Sequence, residues 1–308
     1  MYSMSKSPAF RGILYIEDEL HTELPEISQV TVIGLENSNG TKTVELLTEA
    51  VKAQLSAHGL CPQNCLMLAA TDAAIRAAKN LQMAVAAYVN PEILGQTYYG
   101  AEMLIEGFEE VDEEFLFRIF QRHHDIPWTI AKTKRCLIRE LAMEDVEDLV
   151  SLYEQPGITY LIDSDGERRP GYIEPLYPLE EERVYQENYR KHMYRYYGYG
   201  MWLVLDQKSG QLIGRAGIEH REYPEGIEME LGYLIHPGWQ RKGIATEVCS
   251  AIIDYARRYL ECAKLNLLTE AQNIASVALA EKLGFSYVGD TEVSGSLTRR
   301  YVLQLSEK

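Results

Sequence analysis

Two hydrophobic patterns follow one another along the chain. Residues 10–16, 30–35, 66–69 and 83–88 are short apolar runs without internal proline, and each reads as a strand. Between them, residues 43–55 and 73–82 carry apolar side chains at spacings of three and four, as amphipathic helices do. Residues 115–122 repeat that spacing, and the acidic stretch 106–114 before them reads as a solvated helix start. Alternating strands and helices predict a small parallel α/β unit. Residues 125–133, with Pro127 and Trp128, read as a linker, so the chain divides into 1–130 and 131–308.

The order of elements changes in the second part. Residues 135–139 read as a strand, 140–145 lead into a helix, and another helix runs from 179 to about 196. The Gly- and Pro-bearing run 155–178 is too long for a plain connection, and such loops are usually functional or mobile. Antiparallel strands at 201–206 and 212–219 turn at Lys208-Ser209-Gly210. Strand 227–235 is stopped by His236, Pro237 and Gly238. From Gly243 the period is helical: Ala245, Val248, Ile252, Tyr255 and Tyr259. A strand at 264–269, a helix capped by Asn273 and ended by Gly284, and strands at 285–288 and 300–305 complete the chain.

Strand, short loop and helix with glycine at the mouth is an arrangement with chemistry in it. The first turn of a helix offers free N–H groups and the positive end of the dipole, which suit a phosphate or pyrophosphate. Arg241 and Lys242 add charge, and Gly243 lets a ligand approach the backbone. By itself such a loop is equally compatible with an ordinary basic turn.

Gln240-Arg241-Lys242-Gly243-Ile244-Ala245 fits Q/R-x-x-G-x-G/A and resembles the acetyl-CoA loop of the GNAT N-acetyltransferases. The preceding Glu230-Leu-Gly-Tyr233-Leu234-Ile235 is similar to that family's central strand. Asn273-Ile-Ala-Ser276, followed by Glu281-Lys-Leu-Gly284-Phe285, resembles its N-x-x-S…EKLGF helix, in the variant of ribosomal-protein and other N-terminal acetyltransferases. The resemblance implies a mixed, mostly antiparallel α+β sheet over residues 131–308 and acetyl-CoA as co-substrate. It also implies direct acetyl transfer to a primary amine, either a peptide N-terminus or a small cationic amine. Backbone donors of Arg241, Lys242, Gly243, Ile244, Ala245 and Thr246, with Gln240, would hold the pyrophosphate. The edge of Tyr233, Leu234 and Ile235 would pair with the pantetheine arm, which Asn273 and Ser276 would also meet.

Glu228 and Glu230 lie two apart on a strand, so their carboxylates share a face. The family places its base at the Glu230 position, with Glu228 the second candidate. Many relatives carry a tyrosine seven residues after the asparagine; here that position is Ala280. Three routes stay open for the leaving thiolate: unassisted departure, a proton from Ser276, or one from another tyrosine. Ten of the 21 tyrosines, from Tyr153 to Tyr199, suggest an aromatic wall at the acceptor side. The missing tyrosine also keeps a second class of function in view, a non-catalytic acyl-CoA-binding regulatory or interaction protein.

In the first part, residues 65–91 resemble the last third of haloacid dehalogenase-like (HAD) hydrolases, a truncated Rossmann-type unit. The two metal-binding aspartates of that family fall on Ala70 and Ala74, which cannot ligate a hard cation. Glu17 and Glu19 are the nearest match to its nucleophile motif. A catalytically dead half-domain without phosphatase activity is expected, serving as a docking or homodimerisation surface. Residues 34–43 approach the G-x4-G-K-[ST] phosphate loop, but Thr41 breaks its register.

Composition narrows the partners. The formal charge of −16 argues against nucleic-acid binding and is compatible with steering a cationic amine. No apolar run approaches the ~20 residues of a membrane helix. Cys61, Cys65, Cys136, Cys249 and Cys262 form no zinc pattern, so no metal is expected. Free thiols in a reducing cytoplasm are.

Overall fold

The computed structural model describes residues 8–20, 24, 26–36, 43–109, 111–158, 160–162, 167–170, 177–223, 225–260, 262–293 and 296–305. The chain forms two units, Met1–Ile126 and Pro127–Lys308.

The first unit is a parallel sheet flanked by helices: β1 (Gly12–Ile16), β2 (Thr31–Leu35), α1 (Val44–Ala57), β3 (Cys65–Ala69), α2 (Asp72–Asn80), β4 (Ala84–Tyr88), β5 (Met103–Ile105) and α3 (Glu113–His123). The strands lie in the order β2-β1-β3-β4-β5, every pair parallel. Buried throughout, β3 and β4 read as continuous apolar runs because both faces of a parallel sheet are covered. The acidic stretch before α3 holds a capping residue: Asp112 accepts from Phe115 N at 2.7 Å, and Glu113 and Glu114 fill the first turn. Of the phosphate-loop candidate, residues 34–43, Gly34 and Leu35 belong to β2 and Thr43 caps α1, while residues 37–42 lie outside the described residues.

The second unit contains β6 (Thr129–Lys132), β7 (Cys136–Arg139), α4 (Val146–Tyr153), β8 (Tyr160–Ile162), β9 (Arg168–Pro170), α5 (Leu179–Tyr189), β10 (Met201–Asp206), β11 (Leu212–Tyr223), β12 (Gly226–Ile235), α6 (Ile244–Tyr259), β13 (Lys264–Thr269), α7 (Ile274–Lys282), β14 (Ser286–Val293) and β15 (Ser296–Gln304). Its eight-stranded sheet runs β14-β15-β13-β12-β11-β10-β7-β6. Among its neighbours β12 and β13 are parallel and the others antiparallel, a mixed and mostly antiparallel sheet.

Three departures from the hydrophobic pattern matter. Residues 125–133 are not a plain linker: β6 pairs with β7, and Trp128 and Ile130 are buried in the second unit's core. Part of the 155–178 run is the β8–β9 hairpin, while residues 163–166 and 171–176 lie outside the described residues. The helix expected to reach about residue 196 changes pitch after Tyr189, and Arg190–Tyr197 is π-helical up to Gly198, which has φ 75°. That segment carries Tyr194, which works with Tyr189 as a clamp on Met201. Met201 N donates to Tyr189 Oη at 2.7 Å, and Tyr194 Oη donates to Met201 O. Among the described residues no helix is long and apolar enough to cross a membrane.

Gly217 of β11 lies opposite the clamped Met201. A Cβ there would stand 2.0 Å from Gly200 O and 2.7 Å from Met201 Cα, both backbone atoms. Gly217→Ala is therefore expected to lower the unfolding free energy of the second unit by about 1–3 kcal/mol, read by urea denaturation of the full chain followed by tryptophan fluorescence.

Candidate active site

The loop from His236 to Gly243 is held from inside and outside. Gln240 Nε2 donates to Ile235 O at 2.9 Å, tying the loop to the end of β12. Arg241 (φ 58°) and Gly243 (φ 76°) both take left-handed backbone, so the chain curls around Lys242 into α6. A non-glycine residue in that region marks strain that the surroundings hold in place. Gly243 is itself the N-cap of α6, and no side chain caps the mouth. Ile244 turns its side chain into the core, leaving its backbone at the mouth, with Ala245 and Thr246 half-buried beside it. Lys242 folds back: its Nζ donates to Gly238 O at 2.7 Å and lies over the Trp239 ring.

The outside brace was not read from the sequence. Arg135, just before β7, donates from Nη1 to Lys242 O at 2.7 Å and from Nε to Glu247 Oε2 at 2.7 Å. Thr133 Oγ1 and Arg135 N donate to Glu247 Oε1 at 2.6 and 2.8 Å. Burial raises the Glu247 carboxyl, but these donors outweigh it and hold the group below the ordinary carboxylate range. The carbonyl of Lys242 is thereby drawn to Arg135.

Beside the loop the sheet parts. β12 matches β11 over its full length, yet its register with β13 is a single pair, Glu230 with Asn266. Beyond that pair, Leu231 to Ile235 have no strand partner on the β13 side. Tyr233, Leu234 and Ile235 therefore present backbone groups to an opening.

Glu228 and Glu230 share a face and have different surroundings. Glu228 accepts from Lys264 Nζ, Asn266 Nδ2 and Arg300 Nη2, each at 2.8 Å. Burial pushes it upward, but those donors prevail and its pKa is lowered. Glu230, at the fork, pairs with Arg221 Nε and lies 3.5 Å from Tyr223 Oη. There burial dominates over the Arg221 guanidinium, and the carboxyl is raised. Of the two, Glu230 has the greater affinity for a proton.

Asn273 accepts from Ser276 N at 3.2 Å through Oδ1, as a helix cap. Tyr233 Oη donates to Ser276 Oγ at 2.7 Å, bridging the two sides of the opening. Burial pushes the Tyr233 phenol up to about 12, against the Ser276 hydrogen bond. Ala280, where relatives carry a tyrosine, is fully buried in the core.

The tyrosine-rich segment forms a ring series in part: Tyr177–Tyr185, Tyr185–Tyr189 and Tyr189–Tyr194 stand 5.5, 6.2 and 5.6 Å apart by centroid. Tyr153, Tyr194 and Tyr199 are core residues. The Tyr160, Tyr172 and Tyr196 side chains are outside the described residues. Two further polar groups went unread. Arg215 of β11 is fully buried, bonded to Tyr153 Oη and 5.1 Å from the Tyr189 ring centroid. Glu219, also on β11, accepts from Tyr189 Oη at 2.6 Å.

Residues 135–286 match the family model for the acetyltransferase (GNAT) domain. This stretch is a GNAT acetyltransferase domain. As such it is an acetyl-CoA-dependent N-acetyltransferase module. Two Bacillus subtilis proteins are similar to the chain. YkkB, uncharacterised, is 29% identical over 35% of this chain and 64% of its own length. YoaA, an uncharacterised N-acetyltransferase, is 24% identical over 52% of this chain and 84% of its own. The chain thus spans less than two thirds of YkkB. Among solved structures, an Agrobacterium tumefaciens acetyltransferase is 25% identical, with a TM-score of 0.44 over 56% of this chain and 93% of that one. The ribosomal L7/L12 α-N-protein acetyltransferase RimL, in complex with coenzyme A, is 16% identical, with a TM-score of 0.46 over 58% and 98%.

In the first unit, the crevice where the strand order turns, between the C-terminal ends of β1 and β3, is occupied from within. Glu19 accepts from Ala70 N and Thr71 Oγ1, each at 2.9 Å, and Asn90 Nδ2 donates to its carbonyl at 2.9 Å. Ala70 and Ala74 are fully buried.

Arg135→Ala removes the brace from Lys242 O while leaving every group that faces the opening. It is expected to raise KM for acetyl-CoA about tenfold, the worth of one charge-assisted hydrogen bond, with kcat changed less, as steady-state kinetics would read.

Proposed function

We propose that the protein transfers an acetyl group from acetyl-CoA to a primary amine, a peptide N-terminus or a small cationic amine. The observation that carries this reading is the parting of β12 from β13 directly after Glu230, beside an uncapped helix mouth, within the matched domain. The N–H groups of Gly243, Ile244, Ala245 and Thr246 hold the pyrophosphate. The pantetheine arm lies along Tyr233, Leu234 and Ile235 as an added strand, and a strand N–H faces the thioester oxygen as it becomes an oxyanion.

Glu230 is the base in this reading, directly or through water. Its carboxyl, raised by burial, suits removal of a proton from an ammonium. Glu228, saturated by Lys264, Asn266 and Arg300, positions the sheet edge instead. The amine nitrogen attacks the thioester carbon, the C–S bond breaks, and the thiolate takes a proton from Ser276, which Tyr233 resupplies through their hydrogen bond. The relay takes the place of the tyrosine absent at Ala280.

The first unit is read as a HAD-like half-domain that has lost its chemistry. Its parallel order and the resemblance of residues 65–91 support this, and the Glu19 carboxylate fills the place where that family would hold a phosphate. The full chain is accordingly expected to show no Mg²⁺-dependent release of phosphate from p-nitrophenyl phosphate. The five free thiols favour a reducing cytoplasm.

A screen for free-thiol release from acetyl-CoA across primary amines tests the assignment. Turnover with at least one amine supports it; coenzyme binding without turnover on any would favour a regulatory acyl-CoA module. Glu230→Gln is expected to lower kcat by about 10²-fold or more, with the acetyl-CoA KM changed far less; an unaltered kcat would remove Glu230 from the mechanism.

A further inference from the structure

Glu219 and Glu230 are register partners on adjacent antiparallel strands, so two carboxylates stand side by side on one face. Like charges in directly opposed positions repel, so a fold keeps such a pair only where other groups fix it. Arg221 pairs with Glu230. Among the described residues no lysine or arginine pairs with Glu219, which is held by the Tyr189 hydroxyl alone.

Tyr189 is in turn fixed at three points. Its oxygen accepts from Met201 N at 2.7 Å and donates to Glu219 Oε1 at 2.6 Å, and its ring lies against the buried Arg215 guanidinium. The phenol, pushed well above its ordinary value by burial, stays protonated and keeps donating. The Glu219 carboxyl is thus fixed in place.

We propose that Glu219 is a positioning residue for acetyl transfer: a negative charge, clamped by Tyr189, that favours protonation of the neighbouring Glu230 and equips it to take the acceptor's proton. At that step one proton passes from the acceptor ammonium to a Glu230 carboxylate oxygen, leaving a neutral amine, and no other bond changes. The inference rests on Glu230 being the base.

Glu230 meets Arg221 and Tyr223 directly and faces Glu219 in register on β11. Asn266 of β13 is its register partner on the other side, Glu228 lies two residues along its own strand, and Tyr189 reaches it only through Glu219. Burial is the main force raising Glu230, Arg221 opposes it, and Glu219 acts with burial. Lys264 and Arg300 are engaged by Glu228. Removing the Glu219 charge therefore lowers the proton affinity of Glu230.

The test is a carbon-13 titration of glutamate carboxyls in the full chain, with Glu230 assigned from the Glu230→Gln spectrum. In Glu219→Gln the Glu230 midpoint is expected to fall by about one pH unit, while Glu219→Asp, which keeps the charge, stays near the parent value. The rising acid limb of kcat/KM, for the best amine of the thiol-release screen, moves to lower pH by the same amount. An unmoved midpoint in folded Glu219→Gln overturns the inference. Unchanged turnover in Glu230→Gln overturns instead the reading it rests on.

Discussion

The second unit depends on a strand that cannot be fully paired. β12 sits inside an eight-stranded sheet, where every backbone N–H and C=O would ordinarily meet a neighbour. On the β11 side it does, over ten register pairs from Gly214–Ile235 to Tyr223–Gly226. On the β13 side the ladder stops at Glu230–Asn266. Glu230 lies at the closed end of the open length, Gly243 at the open end, and Tyr233 with Ser276 across the middle, the groups to which the proposed transfer assigns roles. In the proposed binding mode an amide-bearing arm entering there would complete hydrogen bonds that the strand edge leaves unmade.

Leaving that edge open requires the surroundings to be stiff. On one side Arg135 and Glu247 brace the loop, and the left-handed turn at Arg241 persists within that brace. On the other, Tyr189 and Tyr194 hold the backbone of Met201 where β10 begins. Between them Arg300 joins Glu228, Glu225 and Asn266 and covers the Tyr223 ring. A partly buried ion-pair network of this kind is weak evidence for stability, because desolvation opposes the Coulomb gain. Its effect here is orientation: β12, β13 and β15 are tied together at the level where the first two separate.

Local signals made much of this legible. The Asn273 cap, the Gly284 helix end and the Gly243 mouth are each set by a few neighbouring residues, and the structure shows all three. β10 and β13 have the predicted limits because their apolar runs end at turn residues. What stayed hidden depends on distance along the chain. β6 is four residues long behind Pro127, and only its pairing with β7 reveals it as a strand. β5 has three residues. Arg135 and Glu247 are 112 residues apart, and no period links them. Glu219 ends the run expected as a strand, which β11 continues to Tyr223, and its place opposite Glu230 and beside a tyrosine 30 residues away comes only from the ladder. The π-helical turn that carries Tyr194 has no composition of its own to announce it.

The net charge of −16 acts in opposite directions on the two substrates. A cationic amine is drawn towards such a molecule, whereas coenzyme A, with its phosphates, is repelled at long range. At physiological salt the field fades within about 8 Å, so the coenzyme feels mainly the groups it touches. The proposed coenzyme site accordingly rests on fixed backbone dipoles at a helix mouth, with Arg135 pairing the Glu247 carboxylate. The acceptor side can instead leave carboxylates uncompensated. Glu228 is neutralised by Lys264 and Arg300, but among the described residues the Glu219–Glu230 pair of carboxyls has Arg221 as its one ion-pair partner. In the proposed reaction an arriving ammonium would supply the missing positive charge and then lose its proton to Glu230. On that proposal the imbalance would first draw in the amine and then favour its deprotonation.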